Sequence, residues 1–185
     1  MERIIKIYRD PLELSYAIAD ELIKILNDAA LRGGHINIAL SGGNTPRTLF
    51  ATIGNNYSKN INWKSADFFW SDERCVPPDS PESNYKLAKE TFLDKIKMPA
   101  KHIHRIKGEQ NPEEEAERYS AEVRNKTASA LGVPRFDVIF LGIGEDGHTA
   151  SIFPGDERVL TSNKICEVAI HPSTLQKRIT LTLHT

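Results

Sequence analysis

HINIALSGGNTPRTLFATIG, residues 35–54, decides how this chain folds. HINIAL (35–40) reads as a strand, and it runs straight into SGGNTP. Two adjacent glycines there let the backbone turn tightly and present bare N–H groups. PRTLFATIG (46–54) then reads as a helix, with Thr45 as N-cap and Pro46 at the first helical position, where a missing N–H costs nothing. A strand feeding a helix through a glycine turn is a building unit of an α/β sheet.

The same alternation continues outward. Upstream, Leu14, Ile18, Leu22, Ile25 and Leu26 recur at helical spacing, with Pro11 in the first turn and Gly33-Gly34 as the stop. Downstream, DFFW (67–70) is a short apolar strand ending at SDER, and SNYKLAKETFLDKI (83–96) is a helix with Ser83 as its cap. PEEEAERYSAEVRNKTASALG (112–132) predicts another helix, with acids in its first turn and Gly132 at its end. FDVIFLGIG (136–144) is a nearly continuous apolar strand, and KICEVAI (164–170) and RITLTL (178–183) are further strands. Strands alternating with helices imply a mostly parallel sheet covered by helices on both faces, and the VIFL run fits a central strand. Residues 1–185 are expected to form one α/β domain, with no internal repeat, low-complexity tract or linker.

Composition narrows the function. Hydrophobic residues make up 39% and charged residues 26%, and the formal net charge is −1. No global field draws in nucleic acid or an acidic membrane, so an anionic ligand must be held by local groups. Cys75 and Cys166 form no CxxC pair, which argues against a disulfide framework or a zinc site and for a reducing compartment. The N-terminus is charged from its second residue and carries no apolar leader core, and no run is long enough to span a bilayer. The expected setting is cytoplasmic, and the expected partner is a small molecule. The sequence does not indicate an oligomeric state.

Ligands of such sheets bind beyond the strand C-termini. Three segments follow expected strand ends: 41–46, 71–78 and 142–155. In the first, Ser41, Gly42 and Gly43 lead into a helix N-terminus, an arrangement suited to phosphate or to a plain strand-to-helix turn. It is neither a Walker loop nor GxGxxG. In the second, Asp72, Glu73 and Arg74 offer a carboxylate able to orient a histidine and a guanidinium fork for an anion, or else a surface ion-pair cluster. In the third, Gly142, Gly144 and Gly147 crowd around His148, behind Glu145 and Asp146. Gly147 is read as giving a ligand close access to the imidazole, a group able to take a proton from water and return it to a leaving oxygen. Lys177 and Arg178, at a strand start, are placed to close on an anion or to face solvent. His102 and His104 stand two apart, but no third ligand is near them in sequence, so no metal site is expected.

SGGNTPRTLF, SDERCVPPDSPESNYKLAKETFL and FDVIFLGIGEDGHTASIFPG together resemble the 6-phosphogluconolactonase family, in order and over most of the chain. The resemblance implies a modified Rossmann-like fold shared with glucosamine-6-phosphate deaminases and ribose-5-phosphate isomerases. It implies a carboxylic ester hydrolase that converts 6-phospho-glucono-1,5-lactone to 6-phosphogluconate in the oxidative pentose phosphate pathway, without cofactor or metal. Carried over residue by residue, it makes His148 the general base and Asp72 its assistant. Gly42, Gly43 and Arg74 hold the phosphate, and Arg178 lies near the substrate. It also implies a C-terminal segment, with a phosphate-facing lysine, that residues 1–185 lack.

The expected mechanism has neutral His148 activate water while Asp72 holds its tautomer. Ser151 is not expected to be a nucleophile, since no G-x-S-x-G elbow surrounds it. Two other readings share the binding loops: a glucosamine-6-phosphate deaminase-type isomerase, and a non-catalytic sugar-phosphate module. The TASIFPG that follows His148 and the presence of both His148 and Asp72 favour the lactonase.

Overall fold

The computed structural model describes residues 3–59, 61–130 and 132–185. Helix α1 (Pro11–Leu31) starts where Asp10 accepts from the amides of Leu12 and Glu13. It ends where the Gly34 amide bonds back to Ala29 and Gly33 adopts φ +66°. Strand β1 (Ile36–Leu40) is buried at every residue, as a central strand covered on both faces must be. It pairs in parallel with β2 (Ala66–Trp70) on one side and β6 (Val138–Ile139) on the other. The run in the middle is therefore INIAL, not VIFL, and β6 lies at the edge of this sheet among the described residues.

Helix α2 (Asn44–Asn56) begins earlier than expected. Gly43 caps it at φ +104°, and Pro46 falls inside its first turn. Helix α3 (Asn84–Ala88), capped by Ser83, continues into a π-helical turn at Lys89–Leu93. Helix α4 (Pro112–Lys126) stops short of the expected end. Strands β4 (Ala128–Ala130) and β5 (Val133–Arg135) fold back on each other there; Leu131, part of the helix expected from sequence, lies outside the described residues. The strand expected over 136–144 shortens too. Its ladder with β1 ends at Phe140, whose amide bonds to Ala39. Beyond that point β1 has turned away at Ser41 and there is nothing left to pair with.

A second, antiparallel sheet joins β3 (Asp72–Arg74), β8 (Lys177–Leu181) and β7 (Cys166–Ile170) in the order β3-β8-β7. The segment from residue 72 was expected as a loop and is instead a strand. Ser71 is the junction: its amide donates to Leu40 O at 2.7 Å, and its carbonyl accepts from Leu181 N at 2.7 Å. One residue thus belongs to both hydrogen-bond networks. Helix α4 packs on β7 and β8, while the Tyr119 hydroxyl bonds both the amide and the carbonyl of Trp70 at 2.8 and 2.9 Å. A short helix, α5 (Glu157–Leu160), packs against β7.

Candidate active site

The C-terminal ends of β1 and β6 meet the antiparallel sheet around a cleft of about 530 Å³. Ser41, Gly42, Gly43, Asp72, Arg74, His148 and Arg178 all line it. These segments are far apart in sequence, and the parallel register of β1 with β6 together with the Ser71 junction brings them to one rim. Among the expected site residues, Gly147 does not line the cleft.

The cleft gathers groups able to hold an anion. Among the described residues, the amides of Gly43, Asn44 and Thr45 donate to no protein acceptor, and they open the 13-residue helix α2. The helix dipole adds a positive end there. Arg74 and Arg178 are direct cross-strand partners on β3 and β8. Like charges opposite one another destabilise a sheet unless something negative lies between them. Burial holds the Arg178 guanidinium below its ordinary pKa, and Arg74 pushes it further down. Arg74 Nη1 donates to the Glu82 carbonyl at 2.5 Å, whereas its buried Nε has no acceptor. Lys177 turns outward instead and pairs with Glu113 at 3.1 Å.

The floor is a buried polar network. Asp72 is 4% exposed, and its Oδ2 accepts from Ser151 Oγ at 2.7 Å. The Asn84 amide donates to the Asp72 carbonyl at 3.0 Å and to Oδ1 at 3.3 Å. The same Asn84 side chain explains Gly42: a Cβ there would sit 1.8 Å from Asn84 Oδ1. Glu73 has a different task. Its carboxylate accepts from the amides of Arg74, Asn84 and Tyr85 and from Ser83 Oγ, which fastens the start of α3 to β3. Burial raises its pKa, and these four donors pull against that rise.

His148 lines the same cleft. Its Nδ1 lies 2.5 Å from Asp146 Oδ1, so the acid on the imidazole is Asp146. Asp72, expected in that place, is engaged by Ser151 and Asn84. The pairing puts the proton on Nδ1 and leaves Nε2 as the basic nitrogen. The bond to His148 also holds the Asp146 carboxyl below its usual range. The turn geometry makes the pairing local. Gly147 at φ +86° reverses the chain between acid and base, and an added Cβ there would meet only Pro154, at 3.9 Å. It sets the backbone of this turn and does not line the cleft. Gly144 is the residue that makes room: a Cβ there would lie 2.3 Å from the imidazole. Ala150, at φ +49°, turns the chain again, so that Ser151 passes beneath to Asp72. The imidazole lies against Phe153, with ring centroids 5.0 Å apart, and Arg178 sits 5.7 Å over that same ring.

Sequence reasoning assigned no role to Asn84, although it lies inside the quoted SNY, and left Asp146 undistinguished from its acidic neighbours. The available signal for Asp146 was its position two residues before His148 in a glycine-rich turn.

Comparison with known proteins agrees with this architecture. Residues 9–185 match the family model described as Glucosamine-6-phosphate isomerases/6-phosphogluconolactonase. The chain is 40% identical to the 6-phosphogluconolactonase of Treponema pallidum over 168 residues, which are 91% of this chain and 70% of that protein. It is 43% identical to the Haemophilus influenzae 6-phosphogluconolactonase over 148 residues, 80% of this chain and 62% of the relative. The solved 6-phosphogluconolactonase of Trypanosoma brucei superposes with a TM-score of 0.86 at 30% identity, covering 98% of this chain and 76% of that one. With the glycine loop, the paired arginines and the histidine turn all on one rim of the same fold, the chain belongs to the glucosamine-6-phosphate isomerase/6-phosphogluconolactonase family.

Proposed function

We propose that the chain hydrolyses 6-phospho-D-glucono-1,5-lactone to 6-phosphogluconate by general-base activation of water. The observation that carries this reading is one cleft holding both the Asp146–His148 pair and two cross-strand arginines beside a helix N-terminus. The first is a proton acceptor fixed in one tautomer. The second is a doubly cationic seat for a phosphate. The lactone phosphate docks between Arg74, Arg178 and the amides of Gly43 and Asn44, with Ser41 and Gly42 shaping the turn. That remote binding positions the carbonyl beside a water at His148 Nε2.

The water oxygen attacks C1 as its proton passes to Nε2. The tetrahedral intermediate collapses with cleavage of the bond from C1 to the ring oxygen, and the imidazolium returns the proton to that oxygen. Asp146 stabilises the imidazolium throughout. Asp72 acts from below: with Ser151 and Asn84 it sets the floor that supports Gly42 and Arg178. No helix among the described residues is long and apolar enough to cross a membrane, and a cytoplasmic setting belongs to the same proposal.

The test is a coupled assay on freshly generated lactone, corrected for spontaneous opening and run with wild type and His148→Asn. Wild-type hydrolysis with a loss of about 100-fold or more in the variant is the expected result. Equal rates would sink the role of His148. Release of ammonia from glucosamine 6-phosphate would move the chain to the isomerase side of the family, and binding of 6-phosphogluconate without any turnover would make it a non-catalytic module.

A further inference from the structure

We propose that His35, His102 and His104 gather with Asp67 as a binding site for a divalent transition metal of the zinc type, at the end of the parallel sheet opposite the cleft. Register carries all four side chains to one face. Asp67 pairs with Asn37 across β1 and β2, and His35 is two residues from Asn37. Phe68 bridges Ile103 in parallel, so His102 and His104, flanking Ile103, share the face of Asp67, which flanks Phe68. Two histidines that stand two apart in sequence thus gain partners from β2 and from the residue that precedes β1.

The distances fit. His35 Nε2 lies 3.0 Å from Asp67 Oδ2, His102 Nδ1 lies 2.7 Å from Oδ1, and His104 Nε2 lies 3.5 Å from Oδ1. The ligand atoms of His35, Asp67 and His102 fall within 4.8 Å of one another. A tetrahedral ion with bonds of about 2.0–2.1 Å spaces its ligand atoms roughly 3.3 Å apart, close to this arrangement. Two imidazoles and a carboxylate, with His104 Nε2 beside that carboxylate, are a donor set suited to zinc and its neighbours.

A second observation points the same way. His104 is 5% exposed, and its Nε2 has no hydrogen-bond partner. Buried nitrogens are rarely left so. Its other nitrogen, Nδ1, lies 2.7 Å from Glu122 Oε1, and Glu122 is in turn engaged by Arg118. That carboxylate accepts the hydrogen bond from Nδ1–H and so turns the Nε2 lone pair towards Asp67, an outer support common behind metal-bound histidines. His35, 39% exposed at its side chain, opens the group to solvent and gives an ion a way in.

The experiment titrates the metal-stripped chain with zinc chloride alone by calorimetry, and with Co²⁺ by visible absorption. Wild type is expected to bind one equivalent and to show the intense bands of a tetrahedral cobalt site. His35→Ala and His102→Ala should each weaken binding at least about tenfold and lose the bands, whereas His148→Ala should bind as wild type does. Because His35 is partly exposed, its variant also serves as the folding control: its circular dichroism and lactone hydrolysis should match the wild type. The proposal is overturned if wild type binds no zinc, if both variants bind as well as wild type, or if binding is lost only in His148→Ala. In the last case the cleft is the site, and the four residues form a hydrogen-bonded cluster only.

Discussion

At the scale of single residues, the acid that matters most to His148 is its neighbour in the turn. Asp146 holds Nδ1 at 2.5 Å, while Asp72 is spoken for by Ser151 and Asn84. Asp146 and Arg74 should fail differently. Asp146→Asn removes the charge that stabilises an imidazolium and should lower kcat by on the order of 10²-fold with little change in KM. Arg74→Ala should do the reverse, because it removes half of the anion seat and leaves the base untouched. Its KM should rise by about tenfold or more, since a charge-assisted hydrogen bond contributes ~1.5–3 kcal/mol. Steady-state kinetics on the two variants separate the roles. A kcat loss confined to Arg74→Ala would contradict the division of labour.

At the scale of elements, the strands and helices meet through side chains placed where backbone is scarce. Gly42 shows this. With Asn84 Oδ1 only 1.8 Å from the Cβ position, Gly42→Ala must push Asn84 off Asp72 or shift the start of α2. Overpacking of this kind costs ~1–3 kcal/mol, and here it should also raise KM. A thermal melt and a KM measurement on the same sample check both. The strand, glycine turn and helix of residues 36–56 were legible in the sequence because their signals are local. The first-turn Pro11 and the glycine stop of α1 were legible for the same reason. What sequence did not reveal depends on distant pairing. Asp72–Arg74 is a strand only because β8, more than a hundred residues later, supplies its partner. FDVIFLGIG lost its second half because β1 turns away beneath it. The sequence reading put Asp72 on His148, and only the fold shows Asp146 there with Asp72 engaged by Ser151 and Asn84. The three histidines around Asp67 were illegible as a group because only strand register unites them.

At the scale of the whole molecule, the cleft exists because two sheets are held at a fixed offset. The glycine loop and His148 ride on the parallel sheet, and both arginines ride on the antiparallel one. Ser71 joins the sheets through backbone, and α4 braces them through side chains: Tyr119 to Trp70, and Glu122 to His104, while the helix packs on β7 and β8. This brace has a pH dependence whose sign is fixed. Burial opposes the charge on Glu122, but the hydrogen bonds from His104 and Arg118 outweigh it and lower its pKa from 4.5 to about 2. A carboxyl whose folded pKa lies below its unfolded value stabilises the fold above the unfolded value and loses that contribution as pH falls through the folded one. The melting temperature of the metal-free protein should accordingly drop between about pH 4.5 and pH 2, with Glu122 among the groups responsible. Glu122→Gln cannot titrate, so it should start lower at neutral pH and lose less across that window, and the two curves should converge near its acid end. Parallel curves would show that Glu122 gains nothing from His104 and Arg118 on folding, and α4 would then have to brace the two sheets through Tyr119 and apolar packing alone.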